Sequence, residues 1–247
     1  VFLPDWERGQ EAVRAVAGAG LPLSMLRLST PGETITTLAL AGHERLIGAL
    51  ESMLALRGIR DKKCMLIIGV TGREKVVKAA LGEALGLCKK HGGVHAGQTF
   101  GRQWHRSRFR TPYLRNTLWE RGYGLDTLET AAPWERVPAL VEAIEGALRP
   151  ALAGIDERVH VFTHLSHIYP HGSSIYTTYV FRLAADPEEN LRRWRAFKGG
   201  ASQAIVAGGG TISHQHGIGT DHAPYLAAEK GVLGLGAVAA EQAELVA

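Results

Sequence analysis

The feature that most constrains the fold is a pair of alternating apolar and polar segments in the second half of the chain. In residues 158–166 the apolar side chains occupy every second position, and residues 173–182 repeat the alternation after a short turn. Successive side chains of a strand point to opposite sides of the sheet. We therefore predict a β-hairpin with one face in the core and one face free to form a site.

Helices and further strands are predicted around this hairpin. A strand is expected at 123–131 and a helix at 133–148, and a second helix at 187–207 begins with Asp186 as its N-cap. With a short strand at 211–213, the order βαββαβ is typical of a ferredoxin-like unit. This half of the chain therefore predicts a split βαβ arrangement.

The first half alternates helices with strands, and we interpret it as a degenerate copy of the same unit. Residues 30–33 are interpreted as a turn, and Thr71 with Glu74 as a capping box at a helix start. The predicted fold class is α+β: an antiparallel sheet with helices packed on one side, built from ferredoxin-like βαββαβ units, with duplication as an open interpretation. The other elements expected in this half are helices at 5–16, 42–56 and 74–91 and strands at 21–28 and 65–70.

Composition limits the kinds of ligand and partner. The net charge is +4 without a run of basic residues, which favours small anions weakly and argues against nucleic acid. Cys64 and Cys88 form no CxxC motif, so neither a disulfide framework nor a zinc site is expected. No apolar run approaches the roughly 20 residues that a transmembrane helix needs, so no transmembrane segment is predicted.

Histidines indicate where chemistry is expected. The chain has eleven, and seven of them lie between His160 and His222. On the predicted hairpin, His160, His164 and Tyr176 share the polar face. Imidazole transfers protons near neutral pH, so this face is a candidate for acid–base chemistry.

The densest candidate is the segment 208–219, with the sequence GGGTISHQHGIG. Glycines let the backbone approach a flat ligand closely, and His214 and His216 can point the same way. We predict an acid–base pair. A metal site is the alternative, but no carboxylate or cysteine stands at a usual spacing, so no metal is predicted. Neither GxGxxG nor GxxxxGK[ST] occurs, so any nucleotide must be held mainly elsewhere.

Arg27 is a charged residue in the apolar strand segment 24–28. One interpretation is a surface residue on an edge strand, because charged side chains are rarely buried without a partner. The other interpretation is an anchor for an anionic ligand, since a guanidinium binds phosphate or carboxylate with two parallel hydrogen bonds.

Together these residues resemble the C-terminal half of FAD-linked oxidases of the vanillyl-alcohol-oxidase type, and within that family most of all the alkyldihydroxyacetone-phosphate synthases. The resemblance extends along essentially the whole chain. The segments that carry it are SMLRL at 24–28, Gly92-Gly93 before Gly97, YLR at 113–115, LETAAPWER at 128–136, SHIYP at 166–170 with Gly172 and Ile175-Tyr176, and 208–219.

The resemblance implies FAD as cofactor and a reaction that exchanges the acyl chain of acyl-dihydroxyacetone phosphate for a long-chain alcohol. It also implies that Arg115 binds the substrate phosphate and that Arg27 matches a position needed for activity. Gln215 stands where the synthases have the middle one of three histidines, and Gln cannot exchange a proton at neutral pH. The implied site residues are Tyr176, His214 and His216 as catalytic, Arg27, Arg115, His167 and Gln215 as substrate-binding, and His214, Gly217 and Gly219 as cofactor-binding.

Two other functions stay open at this point. The first is an FAD-dependent dehydrogenase of a D-2-hydroxy acid, in which Arg115 or Arg27 binds the carboxylate and His216 takes the hydroxyl proton. The second is an inert folded fragment, since the resemblance places the FAD-binding domain before residue 1 and the sequence begins at Val1 without Met.

The resemblance divides the chain into a cap domain at 1–207 and a closing segment at 208–247. The cap is expected to consist of two halves, 1–122 and 123–207. We further expect a homodimer and a cytoplasmic protein, with peripheral attachment to a membrane as the alternative location.

Overall fold

The computed structural model describes residues 1–246, and for Thr111, Val238 and residues 240–246 it describes the backbone alone; the last residue of the predicted closing segment, Ala247, lies outside the described residues. The strands are β1 (Phe2–Leu3), β2 (Met25–Ser29), β3 (Cys64–Gly69), β4 (Tyr123–Pro133), β5 (Val159–Tyr169) and β6 (Gly172–Arg182). The helices are α1 (Trp6–Gly18), α2 (Pro31–Leu40), α3 (Glu44–Ala55), α4 (Glu74–Lys90), α5 (Thr99–Ser107), α6 (Leu114–Glu120), α7 (Val137–Leu148), α8 (Pro187–Ala207) and α9 (Gly219–Val246), which is kinked at Gly231.

The strands form one antiparallel sheet in the order β1-β3-β2-β5-β6-β4. Each half of the chain contributes the same motif, β1-α1-β2-β3-α4 and β4-α7-β5-β6-α8, in which the third strand lies between the first and the second. The two motifs meet edge to edge at β2 and β5. The predicted α+β fold with one antiparallel sheet is confirmed, and its halves repeat a βαββα arrangement.

The predicted strand at 211–213 is wrong, and this removes the last strand of the predicted unit. Thr211 donates one backbone hydrogen bond to Ala131 of β4, and its carbonyl accepts one from the Thr130 hydroxyl. These bonds attach the segment to β4 without forming a ladder. The segment is therefore a loop between α8 and α9.

Residues 30–33 begin a helix and do not form the predicted turn. The hydroxyl of Thr30 accepts a hydrogen bond from the Glu33 amide, and Pro31 lies in the first turn. A cap followed by proline is a helix start as much as a turn signal. This helix, α2, places Glu33 against the sheet.

Two predicted helix starts are also wrong. Pro133 does not begin α7, because it is the last residue of β4 and pairs with Gly172 of β6. The capping box of Thr71 with Glu74 does not form, since Arg73 is the N-cap of α4 and makes no side-chain cap. Gly72, which lies between Thr71 and Arg73, has a φ of 138°, and this conformation breaks the regular geometry of a capping box.

Helices lie on both faces of the first half, where the prediction placed them on one. Cys64 and Leu66 of β3 belong to the main core, whereas Met65 and Ile67 pack in a second cluster that includes residues of α2 and α3. A strand buried on both faces is continuously apolar, and β3 has this pattern. Among the described residues, no helix is long and apolar enough to cross a membrane.

The second half buries one face of its strands, as the alternation predicts. Val161, Leu165, Ile175 and Tyr179 are fully buried in the core beneath α7 and α8. Phe197 of α8 contacts the Tyr179 ring, with 4.9 Å between ring centroids. The opposite face of β4, β5 and β6 carries the polar residues and is free of these two helices.

We expect Ile144→Ala to lower the free energy of unfolding by about 2–5 kcal/mol, because this side chain of α7 is fully buried and its loss leaves a cavity. Glu142→Ala, at an exposed position of the same helix, should change stability by less than about 0.5 kcal/mol. Urea denaturation of both variants provides the measurement. Equal stability of the two would contradict the packing described here.

Candidate active site

A row of polar side chains crosses, at one level, the face of the sheet that α7 and α8 leave free. Tyr176 of β6 lies directly opposite Glu129 on β4 and His164 on β5. Ser29 of β2 lies opposite His164 in turn. Directly opposed residues of antiparallel strands point to the same side, so the four residues share one face. The His164 ring stacks on the Tyr176 ring, with 5.0 Å between centroids and 21° between planes.

A buried cluster of Arg27, Glu33 and His164 lies at one end of this row. The Nη2 atom of Arg27 donates to Oε1 of Glu33 at 2.7 Å, and it lies 3.1 Å from Nδ1 of His164. The same Nδ1 is 2.9 Å from Oε1 of Glu33. A guanidinium, a carboxylate and an imidazole therefore meet within one hydrogen-bonded group.

The electrostatics of this cluster favour an ionised carboxylate and a neutral imidazole. Burial raises the pKa of Glu33, but His164 and Arg27 together outweigh it and hold the pKa well below its usual range. Burial and the neighbouring Arg27 charge lower the pKa of His164 against the opposing effect of the Glu33 carboxylate. Arg27 is therefore the permanent positive partner of Glu33.

The interpretation of Arg27 as an edge-strand surface residue is wrong. Its strand, β2, lies between β3 and β5 in the interior of the sheet. The Arg27 side chain is 18% exposed, so its guanidinium is largely committed to Glu33. Glu33, which the sequence analysis missed, is what makes a buried arginine acceptable at this position.

A second carboxylate, Glu129, lies on the other side of Tyr176 and contacts three histidines. Its Oε1 atom is 3.1 Å from Nδ1 of His167 and 3.0 Å from Nδ1 of His214, and its Oε2 atom is 3.3 Å from Nε2 of His216. The Glu129 side chain is only 4% exposed. The structure thus brings three predicted site residues together around a residue that was not predicted.

The fold brings to His214 a carboxylate that could serve as a metal ligand. No carboxylate stands near His214 in the sequence, yet Glu129 reaches it in space from 85 residues away. The ligand atoms of Glu129, His167 and His214 lie within 4.8 Å of one another, so the group is a geometrically suitable metal site. The same distances equally suit imidazole N–H donors on a carboxylate acceptor.

An irregularity of β5 brings His167 to this face. The register shifts by one residue between Leu165, which pairs with Ile175, and Ile168, which pairs with Ser173. Such a β-bulge places two consecutive residues, Ser166 and His167, outside the regular alternation. The hydroxyl of Ser174 fixes the bulge, since it accepts from the His167 amide at 3.0 Å and lies 3.0 Å from the Ser166 hydroxyl.

The glycines at 208–210 serve packing, whereas those at 217 and 219 border open space. A Cβ added to Gly208 or Gly210 would come within 3.0 Å of Leu140 of α7, and at Gly209 it would collide with Arg136. The predicted close approach to a flat ligand does not explain these three residues. A Cβ added to Gly217 or Gly219 would meet no atom within 4 Å.

The loop that carries His214 and His216 is anchored from α9. Glu229 accepts hydrogen bonds from the Ile212 amide at 2.6 Å and from the Thr211 hydroxyl at 2.9 Å. Gln215, between the two histidines, has a left-handed φ of 58° and donates to the Tyr169 hydroxyl at 3.3 Å. The backbone turn at Gln215 lets its neighbours both face Glu129.

Next to Glu129 the loop borders an open cleft of about 330 Å³. Both predicted cofactor-binding glycines line this cleft together with His216. Lys198 also lines the cleft and forms an ion pair with Asp126 at 3.3 Å. A polar molecule entering the cleft would therefore meet glycine backbone, an imidazole and an ammonium group.

The structure does not join Arg115 to these clusters. Arg115 is exposed on α6, and in the part of the chain that is described no hydrogen bond links it to Glu33 or Glu129. The surrounding segment, 102–121, is rich in arginine and exposes Phe109, Tyr113 and Trp119.

This fold and this site define a class of protein. The chain belongs to the FAD-linked oxidase family, because the model of that family's C-terminal domain matches residues 1–241. The predicted family membership is confirmed.

Individual relatives show which members of the family this chain is similar to. The chain is 22% identical over 232 residues to alkyldihydroxyacetonephosphate synthase of Dictyostelium discoideum, covering 91% of this chain and 38% of the relative. It is 22% identical over 244 residues to the synthase of Trypanosoma brucei brucei, covering 96% and 40%. The chain thus spans about two fifths of the length of these curated relatives.

Solved structures show the same fold. Two structures of alkyldihydroxyacetonephosphate synthase match with a TM-score of 0.69, at 18% and 19% identity, over 85% of this chain and 38% of each matched chain. The relatives and structures named here are all synthases, and they do not favour the D-2-hydroxy acid dehydrogenase alternative.

We expect Glu33→Gln to destabilise the protein by about 3 kcal/mol at pH 7, because it leaves the Arg27 charge buried without its partner. The folded-state pKa of Glu33 lies below its unfolded value. Its stabilisation is therefore complete above the unfolded pKa and is lost as the pH falls towards the folded pKa. Urea denaturation across this acid range should show the two proteins converging.

The control for this experiment is Glu74→Gln, which breaks an exposed i,i+4 pair with Lys78. That variant should lose less than about 1 kcal/mol. A stability difference between Glu33→Gln and the wild type that did not change with pH would show that the Glu33 charge contributes nothing.

Proposed function

We propose that this chain forms the substrate side of an FAD-linked enzyme of the alkyldihydroxyacetone-phosphate synthase type. The enzyme would exchange the acyl chain of acyl-dihydroxyacetone phosphate for a long-chain alcohol, releasing the fatty acid, with no net oxidation. The observation that carries this proposal is Tyr176, which lies between two carboxylate–imidazole units on the sheet face that α7 and α8 leave free. The synthases among the relatives support it.

The residues on this face fit one side of a flavin ring. The face presents flat rings and hydrogen-bonding groups, and Oε2 of Glu33 is a buried oxygen without a hydrogen-bond partner among the described residues. His214, Gly217 and Gly219 would hold the cofactor from the cleft side. The sequence contains no pyrophosphate loop of the GxGxxG type, so the phosphates would be held outside these 247 residues. When bound, FAD supplies an electron-accepting ring beside the substrate.

Tyr176 is the proposed proton-transfer group. The reaction removes a proton from the carbon next to the substrate ketone, and a carboxylate leaves as the alcohol, after losing its own proton, takes its place. The Tyr176 ring is held by stacking on His164. Glu129 on the opposite side brings the imidazoles of His214 and His216, which can accept and return the proton.

The two arginines have different proposed tasks. Arg27 contacts Glu33 and His164, so we propose that it maintains the shape and the charge of the site and does not bind the phosphate. Arg115 is exposed on α6 within a segment rich in arginine, and we assign it the substrate phosphate, which a guanidinium binds with two hydrogen bonds. His167 and Gln215 complete the substrate side. Gln215 would bind without exchanging protons, since its amide donates to Tyr169.

The wider setting is also a proposal. The reaction is a group transfer of ether-lipid biosynthesis, and its partners are a small phosphate ester and a fatty alcohol. We place the protein in the cytoplasm, with the alkyl substrate delivered at a membrane surface, and we propose a homodimer.

The decisive test of the reaction uses the flavin-loaded enzyme that contains this chain. We expect it to convert acyl-dihydroxyacetone phosphate and hexadecanol to the alkyl product without an added electron acceptor, as followed by mass spectrometry of the lipid. Reduction of a dye by D-lactate or another D-2-hydroxy acid, without alkyl exchange, would establish the dehydrogenase instead.

Tyr176→Phe should lower kcat by about 10²- to 10⁴-fold, because the ring remains and only the proton-carrying hydroxyl is lost. The circular dichroism spectrum should stay unchanged. Tyr123→Phe, at an exposed tyrosine of β4, is the matched control and should keep its activity. Normal turnover by Tyr176→Phe would exclude Tyr176 from proton transfer.

A further inference from the structure

Glu129 is the shared hydrogen-bond partner of His167 and His214, and His216 lies at ion-pair distance from it. Its Oε1 atom faces Nδ1 of both His167 and His214, and its Oε2 atom faces Nε2 of His216. A carboxylate has only acceptor atoms, so each of the two hydrogen-bonded Nδ1 atoms must carry a proton. The geometry therefore selects Nδ1–H for His167 and His214.

A second contact supports the same tautomer of His214. The amide of Gln215 donates to the Tyr169 hydroxyl at 3.3 Å, and that hydroxyl lies 3.2 Å from Nε2 of His214. With Gln215 as its donor, the hydroxyl is free to give its own proton to Nε2. Nε2 must then hold a lone pair, so Nδ1 carries the proton.

The position of Glu129 is rigid. Its strand neighbour Thr130 is fully buried and donates from its hydroxyl to the Thr211 carbonyl at 2.7 Å, which attaches β4 to the loop of His214. Lys198 donates to the Thr127 carbonyl of the same strand at 2.7 Å. The carboxylate is thus fixed relative to the loop whose imidazoles it bonds.

Glu129 differs from Glu33 in its partners. Glu33 bonds a guanidinium, whose charge is permanent. Within the part of the chain that the structure describes, the ion-pair partners of Glu129 are imidazoles. The carboxylate of Glu129 can therefore determine which nitrogen of each hydrogen-bonded imidazole carries the proton.

We propose that Glu129 is a positioning residue that holds His214 as the Nδ1–H tautomer, leaving Nε2 of His214 as the proton acceptor. The role of this acceptor in turnover rests on the proposed function. The tautomer itself does not, because it is set by contacts within this chain.

The first experiment measures the tautomers directly. Long-range ¹H–¹⁵N correlation spectra of the ¹⁵N-histidine-labelled chain, at mildly alkaline pH where imidazoles are neutral, identify the protonated nitrogen of each ring. We expect Nδ1–H for both His214 and His167 in the wild type. The opposite tautomer at His214 would overturn the proposal without any variant having to fold.

Two variants distinguish the effect of Glu129 on the tautomer of His214 from the effect of Tyr169. Glu129→Gln provides one acceptor oxygen and one donor group in place of two acceptors, so at least one of His167 and His214 should change its tautomer. Tyr169→Phe should leave His214 as Nδ1–H, and a change there would assign the tautomer to Tyr169 instead. Glu11→Gln, which alters an exposed carboxylate 3.2 Å from Nδ1 of His91, is the matched control and should affect neither histidine of the loop.

The kinetic experiment uses the flavin-loaded enzyme that contains this chain. Glu129→Gln should lower kcat by about 10²-fold with KM near the wild-type value, because Glu129 acts through the histidines and not on the substrate. Glu129→Asp should recover part of the loss. If Glu129→Gln changed the tautomers and left kcat unchanged, the positioning role would be overturned. If the wild type had the proposed tautomer but showed no exchange activity, only the proposed function would be contradicted.

The metal alternative is tested in the same material. The wild-type chain and Glu129→Gln are each titrated with Zn²⁺ in a calorimeter. We expect no difference in Zn²⁺ binding between them. Tight stoichiometric binding lost in both Glu129→Gln and His214→Ala would make the carboxylate a metal ligand and overturn the proposal.

Discussion

The pairing of β2 with β5 is the contact on which the candidate site depends. It is short, with Leu28 opposite Leu165 and Ser29 opposite His164, and the Thr30 hydroxyl extends it by donating to the Thr163 carbonyl at 2.8 Å. This junction joins two βαββα motifs into one sheet over a shared core. It also starts α2 beside β5, so that a carboxylate in the first turn of α2 reaches an imidazole 131 residues away in sequence.

Two nearly buried carboxylates then give the two sides of Tyr176 different properties. Removing a carboxylate from water costs several kcal/mol unless partners compensate it. Glu33 is paired with the Arg27 guanidinium, whose charge is permanent, and with His164. The described ion-pair partners of Glu129 are imidazoles, which can donate and accept protons. One side of the tyrosine thus has a permanent positive charge, and the other side offers groups that can transfer protons.

Local patterns predicted the parts of the fold that local forces determine. The alternation in β5 and β6 predicted the buried face, and the cap and proline at Asp186 predicted the start of α8. The density of histidines pointed to residues that the structure brings together around Glu129. Glu33 and Glu129 were missed because their partners come from distant segments, and no spacing reveals them. One signal was present: Glu129, like Asp126, is a charged residue inside a predicted strand, where an unpaired buried charge would be costly.

The bulge in β5 has a consequence for comparing this chain with its relatives. Because side chains alternate along a strand, one extra residue reverses the facing of every residue after it. His167 lies on the site face only because the register shifts after Leu165. A relative that kept both Ser166 and His167 but paired without the bulge would turn the aligned histidine into the core, even if the alignment showed the same residue type. Strand register at this point is therefore as informative as residue identity when the site is traced through the family.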